Sequence, residues 1–120
     1  MTKEVLKFPL FHDTRGNLLP VEFSDIPFVP ARIFMVGDSP EKIQRGGHFV
    51  GCTELVLLLS GKATFKIGIE GESLETLLLQ SPGDAILLYA EDYVRYHLET
   101  VDSRIVVLTD KPYKQTSKGR

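Results

Sequence analysis

Strict alternation is the feature that most restricts how this chain can fold. In "GKATFKIGIEGES", Ala63, Phe65, Ile67 and Ile69 occupy every second position, with Thr64, Lys66 and Gly68 between them. Side chains repeat every two residues only along an extended strand, so the stretch predicts a β-strand with one face inward. Comparable stretches recur between turn-forming residues. "NLLPVEF" follows "DTRG", "ARIFMV" ends at "GDSPE", "ELVLLL" at "SGK", "LETLLLQ" at "SPGD" and "AILLY" at "AED", and "YVRYHLE" and "SRIVVLT" complete the series. Stretches of about five to seven residues, punctuated by Gly, Pro, Asp and Ser, are the pattern of an all-β sandwich or barrel. "ELVLLL" is apolar on both faces, which suits a central strand covered on both sides. Asp13-Thr14-Arg15-Gly16 reads as the turn of a hairpin. One helical turn is expected at "SPEKIQRG", with Ser39 as its cap and Pro40 at the first helical position.

At 120 residues the chain fits one domain, 1–120, with 111–120 expected as a polar tail. Hydrophobic residues make up 42% and charged residues 25%, the balance of a globular protein, and the formal net charge of −2 offers no basic surplus for nucleic acid. The longest apolar run, Leu55 to Leu59, is far below the ~18–20 residues of a bilayer span. A single cysteine, Cys52, forms no internal disulfide, so a cytoplasmic setting is the expectation.

The residues with the most chemistry lie in "RGGHFVGCTE", residues 45–54. Histidine titrates near neutral pH and suits proton transfer, so His48 is the first candidate. Cys52 and Glu54 share its parity. Cys52 is expected as a small core residue and Glu54 as a cavity carboxylate. His97 alternates with Tyr93 and Arg95 and is expected to return a second imidazole from a facing strand. Tyr89 and Tyr96 are expected to pack with a hydroxyl at the rim, and His12 is given no role.

Two resemblances extend this reading. His48-x-Val50-x3-Glu54-x6-Gly61, then Pro82-Gly83-Asp84 and His97, is similar to the two motif regions of the cupin superfamily. That likeness implies a small antiparallel jelly-roll barrel with a polar cavity. A narrower one covers nearly the whole chain. "DTRGNLLPVEFSDIPFVPARIFMV", "RGGHF", "LVLLLSG", "YVRYH" and "RIVVLTDKPY" resemble the sugar 3,4-ketoisomerases acting on a thymidine-diphosphate-linked 4-keto-6-deoxyhexose. The resemblance implies a metal-independent, cofactor-free homodimer of bacterial deoxysugar biosynthesis, using histidines and a tyrosine to move protons between C3 and C4. Phe34 stands where that tyrosine is expected, and Val50 where a second histidine is expected.

The resemblance carries over Arg15, Arg32, Arg45 and His48; together with the residues read from parity, the candidates are His48 and His97 as catalytic groups, and Arg15, Arg32, Arg45, Glu54, Tyr93 and Arg95 as substrate contacts. Guanidinium groups match phosphate oxygens bidentately, which favours Arg15, Arg32 and Arg45 for the diphosphate. Phe11, Phe28 and Tyr93 are candidates to stack on thymine. Migration of a ketone from C4 to C3 passes through an enediol, and a base must take the C3 proton. Two other readings stay open. One is a metal cupin with His48, Glu54 and His97 as a two-histidine, one-carboxylate set. The other is a non-catalytic sugar-nucleotide-binding paralogue. The N-terminal "KEVLKFPLF" is the stretch expected to exchange between subunits.

Overall fold

The computed structural model describes residues 3–113, and every regular element in it except one 3-10 turn is a strand. The strands are β1 (Leu6–Lys7), β2 (Phe11–Asp13), β3 (Gly16–Leu18), β4 (Arg32–Val36), β5 (Arg45–Phe49) and β6 (Glu54–Ser60). They continue with β7 (Ala63–Gly68), β8 (Glu75–Leu79), β9 (Asp84–Leu88), β10 (Tyr93–Leu98) and β11 (Arg104–Thr109). A five-stranded sheet in the order β1-β9-β6-β11-β4 faces a four-stranded sheet in the order β5-β10-β7-β8. Every pairing is antiparallel.

The alternation in the sequence sets which residues fill the space between the sheets. On β7, Ala63, Phe65 and Ile67 are buried while Lys66 is exposed. They meet Val56, Leu58, Ile86, Leu88, Ile105 and Val107 of the opposite sheet in one core. The double-sided apolar strand β6 has the predicted environment. Val56 and Leu58 face this core, while Leu55 and Leu57 join a second one with Ile26, Ala85 and Leu108. Phe8, Leu19, Val21 and Phe28, from the N-terminal segment and the loop before β4, pack against that second core.

Two local expectations are corrected. "NLLPVEF" keeps strand structure only to Leu18, within the predicted hairpin. Pro20 has no N–H for a ladder, and the chain turns through a 3-10 segment at Phe23–Asp25 instead. "SPEKIQRG" forms a turn and no helix. Ile43 N–H donates to the Pro40 carbonyl at 3.4 Å, and Lys42 adopts a positive φ of 60° that stops helical continuation. Of the expected tail, Tyr113 sits with the Arg32 guanidinium 4.9 Å from its ring centre, and residues 114–120 lie outside the described residues.

Candidate active site

Strand β5 carries the extra residue that builds the site. Tyr93 pairs with Phe49 and Val94 with His48, but Arg95 then pairs with Gly46 and Tyr96 with Arg45, so Gly47 is the inserted residue of a bulge. Gly46 and Gly47 have φ values of 79° and 82°, a region glycine enters without steric cost. In a regular strand, residues three apart face opposite ways. The bulge instead sets His48 opposite inward Val94, and Arg45 opposite Tyr96, on the same face.

His48, half-buried on this wall, lines a cavity between the sheets. Val94, Phe65 and Tyr96 line it on the same wall, and Phe34, Glu54, Val56, Leu88, Ile105 and Val107 line the other. The cavity encloses about 360 Å³, its open mouth included. Its side chains crowd the interior, so anything much larger than a water molecule enters only when lining side chains swing aside. The groups able to carry a proton among these lining residues are His48, Glu54 and Tyr96.

The His48 ring is oriented by the backbone. Its Nδ1 lies 2.6 Å from the Phe49 carbonyl oxygen, which can only accept, so Nδ1 carries the hydrogen. In the neutral ring this leaves the lone pair on Nε2, the nitrogen a base uses. Glu54 is 4% exposed and heads β6 on the facing wall, where the Cys52 thiol lies 3.6 Å from its Oε2. Cys52 is buried in the core, as its residue type predicts. Cross-strand register sets Arg32, Thr109, Glu54 and Leu88 side by side on β4, β11, β6 and β9. The Arg32 guanidinium stacks 4.5 Å above the ring of Phe34, a residue that lines the cavity.

Other sequence candidates lie elsewhere. On β10, Val94 and Leu98 are buried in the core and Tyr96 packs against it, so the alternate residues Tyr93, Arg95 and His97 face outward. His97 therefore does not join His48 in the cavity; its Nε2 lies 2.8 Å from Glu99 Oε2 on the outer side of the sheet. The Thr64 hydroxyl, which bonds the same oxygen, is the main cause holding the Glu99 carboxyl below its usual pKa; burial opposes it and the His97 bond adds to it. Arg95 pairs in register with Lys66 on that outer face, and Tyr93 meets Phe49 edge-on at 5.6 Å. Arg15 sits at the turn of the exposed β2–β3 hairpin, bound to Asp13 at 2.5 Å, and does not line the cavity. Phe11 is on that hairpin and Phe28 packs against the second core.

The metal set of His48, Glu54 and His97 is corrected by the same parity: His97 lies on the far side of its sheet from the other two. Among the described residues no three His, Cys, Asp or Glu side chains converge as a metal site. The residue that sequence reasoning passed over is Tyr96. It was expected to pack with its hydroxyl at the rim and was given no site role; it does stack on Phe65 with centroids 4.8 Å apart, and it also lines the cavity. The signal was present, because Tyr96 has the parity of the apolar residues Val94 and Leu98.

Two facing antiparallel sheets around a core form a cupin-type jelly-roll barrel, here with an imidazole and a carboxylate on opposing walls of its cavity. The chain belongs to the FdtA family, described as WxcM-like, C-terminal, whose model matches residues 1–118. It is 26% identical over 117 residues to the TDP-4-oxo-6-deoxy-α-D-glucose-3,4-oxoisomerase of Aneurinibacillus thermoaerophilus, covering 97% of this chain and 84% of the relative. A 3,4-ketoisomerase from Helicobacter canadensis superposes with a TM-score of 0.82 at 21% identity, over 96% of this chain and 87% of that one. A variant of the 3,4-ketoisomerase from Thermoanaerobacterium thermosaccharolyticum, in complex with TDP-4-keto-6-deoxyglucose, superposes with a TM-score of 0.82 at 22% identity, over 95% and 83% of the two chains. No helix among the described residues is long and apolar enough to cross a membrane.

Proposed function

We propose that this chain is a cytoplasmic isomerase that moves the ketone of a thymidine-diphosphate-linked 4-keto-6-deoxy sugar from C4 to C3 through an enediol, in deoxysugar biosynthesis. The observation that carries the reading is His48 in the cavity, with Nδ1–H tied to the Phe49 carbonyl and Nε2 left as the base. The C3 hydrogen is acidic because it lies next to the C4 ketone. His48 takes it, and the resulting charge resides on the C4 oxygen. Glu54, on the facing wall, accepts a hydrogen bond from a sugar hydroxyl and orients the ring. Arg32 and Arg45 provide the cations for the diphosphate. No cofactor is needed, because the reaction only relocates protons and electron pairs.

The protein works as a homodimer in this reading. The β2–β3 hairpin exposes Phe11 and Leu18 and pairs with no other strand among the described residues, which leaves apolar area for a second copy. Arg15 on that hairpin then reaches a sugar nucleotide only across the subunit boundary. Sedimentation analysis at micromolar concentration is expected to give twice the chain mass, and a monomer there would remove this part.

The catalytic part is tested with TDP-4-keto-6-deoxyglucose in deuterated water, followed by NMR. The protein is expected to produce the 3-keto isomer and to exchange the C3 hydrogen. His48→Asn is expected to lower both rates by about 10²–10⁴-fold, the range of a lost general base. Unchanged rates in that variant would refute the assignment. Tight binding with no exchange in the parent protein would instead favour a sugar-nucleotide-binding paralogue.

A further inference from the structure

We infer that Tyr96 is a catalytic residue and that its hydroxyl supplies the proton that arrives at C4. This rests on the ketoisomerase reading above and assigns the second proton-handling group, which Phe34 and Val50 cannot provide. Phe34 has no exchangeable proton, and Val50 is buried in the core at 4% exposure. The cavity holds three proton-carrying side chains, and their positions separate their roles. Glu54 belongs to the five-stranded sheet, on the wall opposite His48. Tyr96 belongs to the same wall as His48. Val94 pairs directly with His48, and Tyr96 lies two residues further along β10 on the same inward face. Stacking on Phe65, with planes 7° apart, fixes the tyrosine ring.

The step balances without an oxidant or a reductant. His48 Nε2 takes the C3 proton, the C3–H electron pair becomes the C3=C4 bond, and the carbonyl pair moves to O4. The O3 proton passes to O4. The O3 pair then forms the C3 carbonyl, while the C3=C4 pair takes a proton from the Tyr96 hydroxyl and becomes the new C4–H bond. The proton held by His48 returns to the tyrosinate, and both groups are restored. In this inference the sugar ring lies flat against the wall that carries both groups, so the C3 hydrogen leaves and the C4 hydrogen arrives on the same face of the ring. Neighbouring axial hydrogens of a glucose-configured chair point to opposite faces. Delivery on one face therefore leaves the C4 hydroxyl axial, the galacto configuration.

The test is Tyr96→Phe, which keeps the ring stacked on Phe65, assayed beside the parent protein in deuterated water with unchanged circular dichroism as the folding control. The expected result is that C3 exchange persists while formation of the 3-keto isomer falls about 100-fold. The parent protein is expected to give the galacto-configured product with deuterium at C4. Full isomerase activity in Tyr96→Phe would overturn the inference, as would a gluco-configured product, which places the donor on the Glu54 wall. In that case Glu54→Gln, and not Tyr96→Phe, separates exchange from isomerisation. If the parent protein itself neither exchanges nor isomerises the sugar, the ketoisomerase reading fails and the role of Tyr96 falls with it.

Discussion

At the scale of single residues, each ionisable group is controlled by the partner it meets. His48 is oriented by one carbonyl, that of its neighbour Phe49. Asp84 shows the same control in a structural role. Burial by itself would raise its pKa. The Lys7 ammonium at 2.6 Å and the N–H groups of Gln80 and Ser81 outweigh burial and hold the carboxyl below its ordinary value. A lowered folded-state pKa stabilises the fold above the unfolded value, ~4, and the contribution is lost as pH falls through the folded value. Asp84→Asn is therefore expected to lose about 1–3 kcal/mol at neutral pH and to flatten the acid limb of the stability curve. Urea unfolding at neutral and acidic pH checks this, and an unchanged pH dependence would contradict it. Lys7→Ala is expected to cost less than about 1 kcal/mol, because the lysine side chain is 72% exposed.

Among the elements, strands β5 and β10 decide the site. The bulge at Gly46–Gly47 brings Arg45 and His48 to one face. A Cβ built at Gly46 would lie 2.8 Å from the Val94 carbonyl oxygen, on a backbone with φ of 79°. Gly46→Ala is expected to cost about 1–3 kcal/mol and to reduce isomerase activity, because the bulge shifts and Arg45 leaves its register with Tyr96. Thermal unfolding and the NMR assay measure the two effects. The outer face of β10 offers a separate test. Arg95 and Lys66 are directly opposed like charges, and among the described residues neither makes a salt bridge. Lys66→Glu is expected to gain about 0.5–1 kcal/mol by giving Arg95 a cross-strand carboxylate. A destabilised Lys66→Glu variant would show that this face is not the open surface described.

For the whole molecule, two cores share strand β6. Leu58 faces the barrel interior and Leu57 the second core, and both are at most 2% exposed. Leu57→Ala and Leu58→Ala are therefore expected to cost similar amounts, about 2–5 kcal/mol each. A cheap Leu57→Ala would mean that the N-terminal segment does not cover the sheet in solution. The double-sided run in "ELVLLL" makes this arrangement legible in the sequence. The alternation in β7, the hairpin at residues 13–16 and the strand character of β4 and β8 to β11 were equally legible, because local sterics and period-two burial are written residue by residue. The parity of β10 was legible too, because Tyr96 falls in step with the apolar Val94 and Leu98. Which inward side chains come together around one cavity was not, since that is decided by packing against the opposite sheet. The bulge in β5 was hidden for a related reason: an inserted residue reverses parity only relative to a partner strand. The sequence by itself therefore determined the all-β class and most of the strands, and it singled out His48 as a candidate. Only the tertiary structure decided that Tyr96, and not His97, joins His48 and the expected Glu54 in the cavity, since that depends on two sheets closing over one core.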